Sequence, residues 1–114
     1  LQHGAASVLG IEINPATIAR MRGAWSEFSG GIYGREGIEV RLGEGRSTLR
    51  RLDETFDVIE LSGTDTYTAG NAGAYVLSES YLYTREALRE YFEHLDPRHG
   101  TLGMIRLAYD PPRE

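Results

Sequence analysis

The side chains able to do chemistry gather at a few places in this sequence. Glu12 closes the apolar run Ser7-Val8-Leu9-Gly10-Ile11 and stands just before Asn14-Pro15. A carboxylate at the end of a buried strand, just ahead of a helix, can accept hydrogen bonds from the vicinal hydroxyls of a ribose. The competing reading is an acidic group facing solvent. Gly43-Glu44-Gly45 lies between an alternating run and a short helix, the setting a phosphate-binding glycine loop requires. Thr48 stands where such a loop would have its third glycine, and the helix that follows is short, which favours a plain glycine turn. A third option is contact of Glu44, or of the backbone around it, with a purine edge. Asp65 falls in the small, polar stretch 62–78, where a carboxylate can hold an amine or a hydroxyl. Tyr67, Tyr75, Tyr81 and Tyr83 lie in or near that stretch. They suit either a pocket for a cationic or aromatic ligand or the closing face of a lid.

Other groups read as structural. Asp57 begins a strand and is expected to be solvated. His3, His94 and His99 have no metal-ligand spacing, and no His-Glu-x-x-His pattern occurs. His94 and His99 belong to a helix C-terminus, where a cationic ring suits the helix dipole. No serine occupies a nucleophile elbow.

These residues need elements to position them. Ser7 to Ile13 reads as a strand covered on both faces. Asn14 caps a helix that opens on Pro15 and carries Ile18, Met21, Trp25 and Phe28 at helical spacing. Ile38 to Leu42 alternates apolar and charged residues, as an edge strand does. A short helix with Leu49, Leu52 and Phe56 on one face follows, then a third strand from Phe56 to Leu61. After the long loop, Thr84 caps a helix with Leu88, Tyr91, Phe92 and Leu95 as its buried stripe. Asp96-Pro97 stops it, and Gly100 to Leu107 makes a last strand. The order β-α-β-α-β-loop-α-β predicts an α/β fold, a three-layer Rossmann-like arrangement around a mostly parallel sheet. Ligands of such sheets bind beyond the carboxyl ends of the strands. Those ends are Glu12 and Asn14, Gly43 to Gly45, Ser62 to Asp65, and the residues after Leu107.

Composition narrows the function classes. The chain has 114 residues, enough for one core. Its 17 acidic and 12 basic residues give a net charge of −5, which disfavours a nucleic-acid backbone as partner. All the basic residues are Arg, so Schiff-base and P-loop lysine chemistry is excluded. With no Cys, so are disulfides, thiol nucleophiles and thiolate metal sites. No apolar run reaches the roughly 20 residues a membrane helix needs, and the sequence is compatible with the cytoplasm.

The motifs also resemble a known family. Gly10-Ile11-Glu12-Ile13-Asn14-Pro15 looks like the second-strand motif of the class I S-adenosylmethionine-dependent transferase fold, and is most similar to the spermidine synthase family. Gly43-Glu44-Gly45-Arg46 resembles that family's Gly-Asp-Gly-Arg turn, and Phe56 to Leu61 its fourth strand. Leu82-Tyr83-Thr84-Arg85-Glu86 resembles its Leu-(Phe/Tyr)-Thr-x-Glu segment. Leu95-Asp96-Pro97-Arg98-His99-Gly100 resembles its Leu-x-Pro-Gly-Gly turn.

The resemblance implies S-adenosylmethionine or its decarboxylated form as cofactor. Glu12 would bind its ribose with Asn14 beside it, and Glu44 and Gly45 would approach the adenine. Ser62 would close the cofactor side, while Asp65 and Tyr67 would hold the acceptor, a polyamine in the family's own reaction. Asp65 matches the second acidic residue of the family's Asp-x-x-Asp pair. Ser62 replaces the first, which supplies the carboxylate for the attacking amine; this puts polyamine synthesis itself in question. The family's glycine-rich loop would lie upstream of Leu1. The chain is thus expected to be a partial, carboxyl-side portion of a larger domain, inactive alone and with an open strand edge beside Ser7–Ile13. Its parent would be a homo-oligomer in the cytoplasm or the cytoplasmic part of a membrane-associated protein. The alternatives are a non-catalytic binding or assembly module on the same fold, or an NAD(P)-dependent oxidoreductase fragment using Gly43-x-Gly45.

Overall fold

The computed structural model describes residues 4–62 and 81–105. The chain is a mixed α/β protein whose strands form short parallel pairs. It divides into two compact units, Leu1–Thr48 and Leu49–Glu114.

In the first unit, β1 (Val8–Glu12) pairs in parallel with β2 (Ile38–Leu42), running from Val8 opposite Ile38 to Glu12 opposite Leu42. Parallel strands need a crossover, and α1 (Pro15–Arg22) supplies it. Its start is set by sequence: Asn14 Oδ1 accepts the Ala16 N–H at 2.9 Å and Pro15 opens the helix. Ile18 is the buried residue of α1. A 3₁₀ turn, Ile32–Gly34, leads towards β2. Gly37 enters that strand at φ +78, a conformation L side chains rarely adopt, and a Cβ there would lie 3.0 Å from the Ala6 carbonyl.

α2 (Gly45–Leu49) spans the division between the units. In the second unit, β3 (Val58–Leu61) pairs in parallel with β4 (Thr101–Met104). α3 (Arg85–Glu93) precedes β4, and Thr84 Oγ1 caps it by accepting the Ala87 N–H at 3.1 Å. Leu49, Leu61, Ala87 and Tyr91 form the core, with Leu52, Phe56, Ile59, Leu82, Leu88 and Leu102 packed against it. Tyr91 is only 2% exposed, and its hydroxyl donates to the Leu82 carbonyl at 2.9 Å. Burying one large apolar side chain of this kind contributes about 1.5–3 kcal/mol. No helix among the described residues is long and apolar enough to cross a membrane.

Several expectations are corrected. α1 stops at Arg22, because the Gly23 backbone leaves the helical conformation (φ −111, ψ −112) and the Trp25 N–H reaches five residues back to the Arg20 carbonyl. Trp25 and Phe28 therefore lie outside the helix, and Phe28 is 94% exposed. α2 has only five residues; Leu52 and Phe56 reach the core from irregular chain. Phe56 forms an isolated parallel bridge with Leu95 instead of opening β3. On α3, Ala87 and Tyr91 are buried and Leu88 packs against the core, and Leu95 is buried just beyond the helix end, while Phe92 is 62% exposed. β4 ends at Met104. The residues expected as a long loop beyond Ser62, and the end of the last strand beyond Ile105, lie outside the described residues.

Candidate functional site

The register of β1 on β2 brings their carboxyl ends together. Gly43 donates its N–H to the Glu12 carbonyl at 3.0 Å, so the turn after β2 starts beside the end of β1. Glu12, Asn14, Glu44 and Gly45 accordingly share one end of this strand pair. Glu12 is partly exposed, and its Oε1 accepts the Asn14 N–H at 2.7 Å. Its Oε2 accepts no hydrogen bond among the described residues, leaving one carboxylate oxygen for an external donor. Asn14 directs its own side chain into the first turn of α1. Its role here is to fix the helix start next to the carboxylate.

Glu44 is more committed. Its Oε1 accepts the Arg46 N–H at 3.0 Å and its Oε2 the Ser47 N–H at 2.7 Å. Both oxygens thus cap the first turn of α2. These two N–H groups are those a phosphate would need at a glycine loop, and an anionic side chain already holds them. What Gly43 to Gly45 offer a ligand is backbone, not the Glu44 carboxylate.

Ser62 directly follows β3 and is exposed, at the carboxyl end of the second parallel pair. Asp65 and Tyr67 lie outside the described residues. A shallow groove between α1 and β2 is lined by Pro15, Ile18, Ala19, Arg22, Val40 and Leu42. It is largely apolar, and neither Glu12 nor Glu44 lines it.

No family model matches the chain, and neither a curated protein nor a solved structure does.

One cluster escaped the reading of the sequence. Asp57 is exposed, as expected, and also pairs with His99: Nε2 of the ring lies 2.8 Å from Asp57 Oδ1. The other ring nitrogen lies 2.9 Å from Asp96 Oδ1. Asp96 also accepts the N–H groups of Arg98 and His99, which hold its carboxyl below the usual carboxylate range. Forty-two residues separate Asp57 from His99, so no local spacing announces the pair. The β3–β4 register creates it: Thr101 N–H bonds the Asp57 carbonyl at 2.9 Å, which brings His99 alongside. The cluster lies at the amino-terminal ends of β3 and β4, away from the end that carries Ser62.

Proposed function

We propose that the chain belongs to a spermidine synthase-like transferase domain with a three-layer, Rossmann-like architecture. Its cofactor is S-adenosylmethionine or the decarboxylated form, whose sulfonium makes an adjacent carbon open to nucleophilic attack. The group moved is methyl or aminopropyl. The observation that carries the reading is the adjacency of Glu12 and the Gly43–Gly45 turn at one end of a parallel strand pair. Glu12 keeps one carboxylate oxygen for a ribose hydroxyl, while Asn14 fixes the backbone beside it. The backbone at Glu44 and Gly45 approaches the adenine. Asp65 and Tyr67 hold the acceptor, and Asp65 takes or orients its proton. Ser62, with no comparable basicity, leaves that task to Asp65 alone.

Calorimetric titration of the chain within its full natural reading frame tests this. The ligands are S-adenosylmethionine, decarboxylated S-adenosylmethionine and methylthioadenosine. Binding of at least one is expected, and failure of all three overturns the reading. The serine at position 62 favours a second reading, a binding or assembly module that retains the fold without the transfer. Binding without turnover against amines would select it. An NAD(P)-dependent oxidoreductase is disfavoured by the Glu44 carboxylate on the first turn of α2.

A further inference from the structure

Asp57, Asp96 and His99 form a set of donors that the cofactor reading does not use. One ligand atom from each lies within 4.8 Å of the other two. On one side of the set, His99 Nε2 stands 2.8 Å from Asp57 Oδ1. The three residues are scattered in sequence, and the parallel register of β3 on β4 assembles them.

The imidazole separates this set from a surface patch of acids. Carboxylates alone suit magnesium or calcium, whereas an imidazole nitrogen beside carboxylate oxygens suits a first-row transition ion such as zinc. Zinc takes nitrogen and oxygen ligands at about 2.0–2.2 Å, which puts tetrahedral donors roughly 3.4 Å apart. The separations within the set bracket that spacing, and small rotations of Asp57 and His99, both exposed, would bring the donors to it.

The backbone holds the set in place. Asp96 Oδ1 accepts the N–H groups of Arg98 and His99 at 2.8 and 3.2 Å. That orients the carboxylate and leaves Oδ2 without a hydrogen bond among the described residues. The Asp57 carbonyl accepts the Thr101 N–H at 2.9 Å, which fixes Asp57 beside the turn. Two carboxylates this close repel each other, and among the described residues no Arg side chain pairs with either. A divalent cation neutralises both.

We propose that Asp57, Asp96 and His99 bind a divalent transition-metal cation of the zinc type, with water completing its coordination. The ion bridges the start of β3 and the turn before β4, joining residues as far as 42 apart in sequence. It acts as a cross-link whose binding energy adds to folding. The site lies at the amino-terminal ends of both strands, away from Ser62, and does not depend on the transferase reading.

Calorimetric titration of the 114-residue chain with zinc chloride at about pH 7.5, where an ordinary imidazole is neutral, reads this out. Saturable uptake of a single ion per chain is expected, together with a raised melting temperature. Asp57→Asn and His99→Gln should each weaken binding about tenfold or more, and His3→Gln should leave it unchanged. No uptake, uptake that Asp57→Asn and His99→Gln do not weaken, or uptake abolished by His3→Gln overturns the proposal. Proton NMR of the parent gives a second reading that does not depend on a variant folding. Zinc should shift the ring signals of His99 and the backbone amides of Asp57 and His99, and leave the ring of His94 in place. An unmoved His99 ring overturns the site.

Discussion

Gly43 donates its backbone N–H to the carbonyl of Glu12 at 3.0 Å. That bond carries the β1–β2 pairing one residue past β2 and ties the turn after β2 to the acidic end of β1. A carboxylate and a glycine turn that are about thirty residues apart in sequence are thereby neighbours, as the strand register requires.

If Glu12 binds a ribose through its free oxygen, Glu12→Ala in the full reading frame weakens cofactor binding about tenfold or more, equivalent to about 1.4 kcal/mol. Glu12→Gln keeps an acceptor for the Asn14 N–H and should weaken binding less. Calorimetry of the three proteins decides. Equal affinities would remove Glu12 from the site.

Gly100 cannot accept a side chain. A Cβ there would lie 2.6 Å from the Asp96 carbonyl oxygen and 2.8 Å from the Asp96 nitrogen, both backbone atoms. The turn between α3 and β4 would have to open. Gly100→Ala should destabilise the chain by about 1–3 kcal/mol, read as a lowered denaturant midpoint with an unchanged slope.

Hydrogen exchange should alternate along β1. Val8 N–H bonds Gly37 and the Glu12 carbonyl accepts Gly43, so Val8, Gly10 and Glu12 turn their backbone groups towards β2. Leu9 and Ile11 turn theirs to the opposite edge, and among the described residues β1 pairs with β2 alone. The amides of Gly10 and Glu12 should exchange more slowly than those of Leu9 and Ile11. Equal protection at all four would mean that another strand covers the far edge.

Acid should unmask Asp96. Its carboxyl is held below its ordinary value of 3.8, first by the Arg98 N–H and further by the N–H and charge of His99, against an opposing cost of burial. A depressed folded value means that its stabilisation is complete above the ordinary value and is lost as pH falls through the lowered one. Asp96→Asn keeps the turn's acceptor but not its charge. It should be less stable than the parent at neutral pH, and the gap should close in strong acid. A gap that persists unchanged in strong acid would contradict this.

Local chemistry made some of this legible in the sequence. Asn14-Pro15 and Thr84 mark helix starts that the structure keeps, because each cap acts within three residues. The alternation of Ile38 to Leu42 gives β2 its observed bounds. The end of α1 was misread because Trp25 and Phe28 continue the helical spacing, while Gly23 ends the helix through its backbone. At the candidate site, the place of Glu12 follows from the strand before it. The capping role of Glu44 does not, since α2 had to be seen as a five-residue helix whose first amides need an acceptor. The Asp57–His99 pair was illegible because it depends on which strand lies beside β3.

Trp25 is the only tryptophan of the chain, and it belongs to the unit Leu1–Thr48. Its ring is partly exposed and has the Arg20 guanidinium 5.3 Å from its centre. Fluorescence excited selectively at tryptophan therefore reports the unfolding of this unit, whereas far-ultraviolet circular dichroism sums the helices and strands of both. If the two signals melt at the same temperature, the units unfold together. If the dichroism shows a second transition that the fluorescence lacks, that transition belongs to the unit holding His94 and His99, and its energetics can be followed separately.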